Sequence, residues 1–290
     1  MWECVPHKDR ECVKMRVRMR EHIYYTGNYA EVEVFPVIKN PRCRRKKYQP
    51  TSEMQAIINQ EHAKRRLLRL VHANFNENDY IVHITYSEKY KPATIEDANR
   101  DIKNYCRRIR RKCKKIDSEF KYIIVPELSN RFHFHIFMRA GISRTEIEET
   151  WGKGDYVNAD CLRFSNTGVI ELVEYTQKQR INYKRWQGSR NLVQPVEREH
   201  FISKKVAQEY SDCWNSQEFI EERFPDYFLV LDECTSVTNA INGFEYTRIF
   251  LCRKDAKFSI YSTSFAERED RLNALKEQER EEIWVQPMLC

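Results

Sequence analysis

A chain of 290 residues, 41% of them hydrophobic, can bury one good-sized domain with additions, or two small ones. Its 7 glycines and 9 prolines argue against a long fibrous or disordered region, and a formal charge of +7 suits a polyanionic partner without requiring one. The 10 cysteines show no C-x-x-C pair or zinc-ribbon spacing, the stretch MWECVPHKDRECVKMRV lacks the apolar core of a signal peptide, and no run is long enough to span a bilayer. A reduced, cytoplasmic chain with no membrane partner is the expectation.

Residues 1 to 50 read as irregular and end in the basic cluster NPRCRRKKYQP. In TSEMQAIINQEHAKRRLLRLVHANF, Ser52 and Gln55 fit a capping box, and Met54, Ile57, Ile58, Leu67, Leu68 and Val71 support an amphipathic helix. Lys64, Arg65, Arg66 and Arg69 gather near its end, either as a solvated face that suits the helix dipole or as a DNA contact. DYIVHITYSE (79 to 88) is β-branched and aromatic, and reads as a strand. Thr94 with Asp97 can cap a long helix whose apolar positions are Ile95, Ala98, Ile102, Tyr105, Ile109, Cys113 and Ile116. Its opposite face carries Arg100, Lys103, Arg107, Arg110, Arg111 and Lys114.

FKYIIVPE (120 to 127) reads as a second strand, residues 128 to 130 as a turn, and RFHFHIFMRA as a third strand antiparallel to the second. Ser143 with Glu146 caps a short helix ending near Trp151, Lys153 to Phe164 alternates as a fourth strand, and TGVIELVEYTQKQ reads as a helix. This is the split β-α-β, ferredoxin-like order, with helices on one face of an antiparallel sheet and the third strand central. Beyond it come an irregular NLVQPVEREHF, helices around 203 to 213 and 216 to 223, strands in DYFLVLDECTS and YTRIFLCRK, and a charged helix from 264 to 283. The expected fold class is α+β: a ferredoxin-like core over 76–190, a basic N-terminal arm and helix over 1–75, and an α+β accessory segment over 191–290.

The chemistry gathers around the third strand. Alternation on a strand sends His133 and His135 to one face, with Phe132, Phe134 and Ile136 on the other. One histidine there is usually a hydrogen-bonded structural residue, whereas two at this spacing more often hold a metal. An antiparallel hairpin can bring Glu127 beside them, and two imidazoles with a carboxylate can hold a divalent cation that keeps positions open to water and phosphate. Tyr175 and Lys178 share a face of the later helix. A neutral phenol is a poor nucleophile, and a nearby ammonium or metal favours the phenolate. Such a set suits attack on a phosphodiester, leaving a phosphotyrosine that permits later rejoining.

"PELSNRFHFHIF", "VEYTQKQ" and the earlier "IVHITYSE" resemble the three ordered motifs of the HUH endonucleases, and within them the rolling-circle replication initiators of small plasmids and filamentous-type phages. "YKRWQGSRNLVQP" is similar to that group too, so the resemblance covers about residues 50 to 195. It implies a site-specific DNA nickase that cuts a single-stranded origin, stays on the 5′ phosphate and frees a 3′ hydroxyl primer. It implies His133, His135 and Glu127 as ligands of Mg²⁺ or Mn²⁺, Tyr175 as nucleophile and Lys178 as its helper. Arg65, Arg66, Arg107, Arg110 and Arg111 are the candidate DNA contacts. His83 stands where the family's first motif often has a small hydroxylated residue; it can be a group behind the ligands, an alternative ligand or a packed strand histidine. Tyr183 is either a second nucleophile or an ordinary aromatic. No G-x-x-x-x-G-K-[ST] occurs, so unwinding falls to a host helicase or supercoiling, and synthesis to a host polymerase. Two rival readings stand: a relaxase or tyrosine transposase on the same scaffold, and a nonenzymatic nucleic-acid-binding ferredoxin-like module using Phe134 and Tyr80 for stacking.

Overall fold

The computed structural model describes residues 17–38, 53–128, 132–154, 156–177, 185–239 and 243–258. Ser52, Lys178, Tyr183 and the helix expected over 264–283 lie outside them. No helix among the described residues is long and apolar enough to cross a membrane.

The protein is α+β, built on two antiparallel sheets. β1 (Val17–Thr26) and β2 (Tyr29–Ile38) form a hairpin, followed by α1 (Glu53–Asn74). Then come β3 (Tyr80–Ile84), α2 (Ile95–Lys115), β4 (Lys121–Leu128), β5 (Phe132–Arg139), α3 (Arg144–Glu149), β6 (Val157–Cys161) and α4 (Ile170–Thr176). The rest is β7 (Gln187–Gly188), β8 (Val196–Ile202), α5 (Lys204–Cys213), α6 (Gln217–Arg223), β9 (Tyr227–Leu229), β10 (Thr235–Thr238) and β11 (Glu245–Arg253).

One sheet has the order β6-β3-β5-β4-β7, every neighbour antiparallel. Its first four members are the expected ferredoxin-like strands, with β5 in the middle. The caps read from sequence are formed. Thr94 Oγ1 accepts the Asp97 N–H at 3.1 Å, and Ser143 and Glu146 make a reciprocal capping box. α2 carries acids in its first turn and lysines in its last, as its dipole favours. Its apolar stripe of Ala98, Ile102, Tyr105, Ile109 and Cys113 buries against Val82, Ile84, Phe134, Ile136 and Met138, joined by Ile147 and Trp151 around α3.

The other face of this sheet is covered as well, which corrects the expectation of helices on one face. Ile81, Ile123, Val125 and Phe137 pack into a second core with Leu67, Leu70 and Val71 of α1, Ile170 and Val173 of α4, and the second sheet. That second sheet runs β10-β11-β2-β1-β8, with β9 also on β11. Residues 17–38 and 196–202 are therefore strands, where the sequence reads as irregular. Charges inside the hairpin hide it, because they are neutralised by distant partners. Arg69 Nη2 donates to Glu31 Oε2 at 2.7 Å and to Glu33 Oε1 at 2.6 Å, with its guanidinium 3.4 Å over the Tyr24 ring. On the opposite face, buried Glu21 accepts from the Tyr210 hydroxyl at 2.5 Å.

His72, near the end of α1, ties these parts together. Its ring lies 4.2 Å from that of Tyr29, its Nε2 accepts the Val169 N–H at 3.3 Å, and its carbonyl oxygen lies 2.8 Å from where a Cβ on Gly27 would sit. Gly27 turns the hairpin at φ 63°, so a larger residue there is both strained and blocked. Burial pushes the His72 pKa down to about 3. Between that value and the ordinary histidine range the unfolded chain takes up a proton that the folded ring refuses. The stabilisation is whole above the unfolded pKa and falls away as the pH drops toward the folded one, at a limiting slope of about 1.4 kcal/mol per pH unit. Denaturant unfolding from pH 7 to 4 should show this slope, and His72→Gln should flatten it by up to one proton's worth; an unchanged slope in the variant contradicts the assignment.

Candidate metal and nucleophile site

The site grows from the registers of three neighbouring strands. β4 pairs Glu127 with His133, and β3 pairs His83 with His135. Side-chain alternation then sends all four toward α1, α4 and the second sheet, on the same face as Ile81, Val125 and Phe137. The apolar filling of that face ends at these residues. His135 is 3% exposed, and His133 and Glu127 are half-buried.

One carboxylate oxygen receives both rings. Glu127 Oε2 lies 2.7 Å from His133 Nε2 and 3.0 Å from His135 Nε2. Burial works to raise the Glu127 pKa, but hydrogen bonds from the two histidines and their charge prevail and lower it. Burial lowers the His135 pKa against the pull of Glu127. The same cause lowers that of His83, against the charge of Asp160. The carboxylate therefore stays ionised and the His135 ring neutral, the forms in which each binds a cation. One donor atom from each of Glu127, His133 and His135 lies within 4.8 Å of the others. Two imidazole nitrogens and a hard oxygen converging this closely fit a divalent metal.

α4 brings the tyrosine. Ile170, Val173 and Thr176 are its buried positions, which turns Tyr175 outward. The Tyr175 ring meets that of His135 edge-on, with centroids 5.7 Å apart at 83°, while half its surface stays exposed. The helix ends at Thr176, with Gln177 as its cap, shorter than the sequence pattern implies.

The arginines divide between two sides of the molecule. Arg107, Arg110 and Arg111 are exposed on α2, across the sheet from the histidines, with the Arg110 guanidinium 5.7 Å over the Phe120 ring. Arg65 and Arg66 are on α1, which covers the histidine face. Arg65 Nη1 donates to Glu33 Oε1 at 3.4 Å, and the Arg66 guanidinium is 5.8 Å from the Trp186 ring centroid. With Tyr24, His62, Arg69 and Gln194 they line a cleft of about 380 Å³ beside the second sheet. Arg69, grouped with them in sequence, is turned instead into the ion pairs with Glu31 and Glu33. The feature least visible in the sequence is the contact of His83 Nδ1 with His135 Nδ1 at 2.8 Å. Alternation puts both rings on one face, but nothing local aligns two strands that are not consecutive.

Residues 79–180 match the family model described as Replication-associated protein ORF2. The match takes in the strand of His83, the paired histidines, Glu127 and the Tyr175 helix, and it bears out the resemblance to replication initiators read from those motifs. No curated protein and no solved structure matched.

If the triad is a metal site, Mn²⁺ titrated into the chelator-treated full chain should bind one site per molecule. His133→Ala and His135→Ala should each weaken that binding at least about tenfold. Calorimetry decides this, and equal binding by wild type and both variants rules the triad out.

Proposed function

Taking the replication-associated match over residues 79–180 as premise, we propose that this chain is a site-specific single-strand DNA endonuclease that starts rolling-circle replication. The observation that carries the reading is the placement of Tyr175 edge-on to His135, half-exposed, beside the convergent ligands. A tyrosine that merely fills the core has no need of an open edge at a histidine–carboxylate cluster.

Glu127, His133 and His135 would hold Mg²⁺ or Mn²⁺, and the cation supplies charge neutralisation on the non-bridging oxygen of a phosphodiester. The chain's own residues supply the rest. The Tyr175 hydroxyl oxygen attacks phosphorus, forming an Oη–P bond as the P–O3′ bond breaks. The phenolic proton leaves to solvent, and the departing 3′ oxygen takes up a proton. The products are a 5′-phosphotyrosine and a free 3′ hydroxyl that can prime a host polymerase. Lys178, a turn past Tyr175 in sequence, favours the phenolate by its charge. The exposed half of the Tyr175 ring leaves a side from which a strand can reach the oxygen, and near-attack geometry requires reacting atoms about 3–3.5 Å apart.

We assign the nicking unit to residues 76–190, with Arg65 and Arg66 holding the strand to be cut. Arg107, Arg110 and Arg111, across the sheet, hold flanking DNA. Strand separation is left to a host helicase. A relaxase or transposase would use the same site chemistry. Stacking of bases on the sheet is disfavoured, because Phe134 is 1% exposed under α2 and Tyr80 packs against the same core.

Tyr175→Phe keeps the ring and removes the oxygen, so it should bind Mn²⁺ and single-stranded origin DNA yet give no covalent adduct on a denaturing gel. Tyr183→Phe should still nick. An adduct retained by Tyr175→Phe and lost by Tyr183→Phe would move the nucleophile to Tyr183. Charge reversal at Arg107 and Arg110 should weaken origin binding and lessen its salt dependence while leaving cleavage of a saturating short oligonucleotide intact. Unchanged affinity would make that helix face merely solvated.

A further inference from the structure

His83 and His135 form a pair that the nicking scheme leaves unused. Their Nδ1 atoms lie 2.8 Å apart, with ring centroids at 4.8 Å and planes at 89°. Two ring nitrogens at this distance share one proton, so one donates and the other accepts. The other nitrogen of His135, Nε2, is 3.0 Å from Glu127 Oε2 and is the atom that converges with His133 and Glu127. An ionised carboxylate only accepts. When Nε2–H donates to Glu127, His135 Nδ1 must accept, and His83 Nδ1–H is the donor. When Nε2 offers its lone pair to a cation, Nδ1 must carry the hydrogen, and His83 Nδ1 must become the acceptor.

We propose that His83 is a positioning residue for the cation: it accepts the Nδ1–H of His135 and so directs the Nε2 lone pair at the metal, reversing the shared hydrogen bond as His135 passes from Glu127 to the metal. This rests on the metal reading of the triad. The protons balance. The shared proton moves from His83 Nδ1 to His135 Nδ1. The proton leaving His135 Nε2 is returned through solvent to His83 Nε2, so the two neutral rings hold two protons before and after. The cross-strand pairing of His83 with His135 keeps the two nitrogens in reach in both arrangements. An imidazole can take either role at Nδ1, which a side chain that only donates or only accepts cannot.

The test is Mn²⁺ calorimetry on the full chain, comparing wild type with His83→Asn and His83→Leu. The Asn Oδ1 is bonded to Cγ as the histidine Nδ1 is, and it accepts a hydrogen bond; Leu keeps bulk without an acceptor. His83→Asn should bind close to wild type, and His83→Leu should bind about 10–100-fold more weakly. Ring ¹⁵N NMR of the wild type gives an independent readout. His135 should be the Nε2–H tautomer in chelator-treated protein and the Nδ1–H tautomer at saturating Mg²⁺. Equal affinity of His83→Leu and wild type, or a His135 ring that stays Nε2–H with Mg²⁺ bound, overturns the positioning role and leaves the metal site standing. A wild type that binds no cation overturns the metal reading and this role together.

Discussion

The register of β5 between β3 and β4 is the constraint from which the site follows. Two imidazoles can be aimed at one oxygen only if their strand is flanked on one side by the carboxylate and its neighbour row is fixed on the other. β4 sets Glu127 opposite His133, β3 sets His83 opposite His135, and a slip of one residue in either pairing would turn the flanking side chain to the wrong face. What prevents the slip is burial on both faces. Ile81, Val125 and Phe137 are committed to one core and Val82, Ile84, Phe134 and Ile136 to the other. The polar groups are tolerated because they satisfy one another: the Glu127 carboxylate takes both histidine rings, and His135 has a partner at each ring nitrogen.

The second sheet explains how a short helix can hold a nucleophile steadily. α4 spans only Ile170–Thr176 and has no side-chain N-cap, so its position comes from packing. Ile170 and Val173 enter the core shared with α1 and the second sheet, and His72 accepts the Val169 N–H at its start. The same α1 carries Arg69, whose ion pairs with Glu31 and Glu33 fasten it to the hairpin. The second sheet, made from strands near both ends of the described chain, thus clamps the element that sets Tyr175 at the histidines.

Much of this was legible in the order of residues. Period-two alternation is local, so the common face of His133 and His135 could be read directly, as could Glu127 across a tight hairpin. The caps at Thr94 and Ser143 and the buried stripe of α2 are equally local. The first hairpin was not legible, although EVEV in β2 alternates, because Glu21, Glu31 and Glu33 look unsuited to a buried sheet until Tyr210 and Arg69 are in place. The His83 pairing was illegible for a related reason: β3 and β5 meet only after α2 and β4 have intervened. Arg65 and Arg69 looked alike in sequence, yet one lines a cleft and the other is buried in ion pairs.

The account stands on Tyr175 as the atom donor to the covalent bond. The most direct measurement is mass spectrometry of tryptic peptides after the full chain has been incubated with Mn²⁺ and single-stranded DNA spanning the origin of its own replicon. The peptide containing Tyr175 should carry a 5′-linked nucleotide on that residue. A nucleotide on any other residue, or no modified peptide from DNA that has been cut, contradicts it.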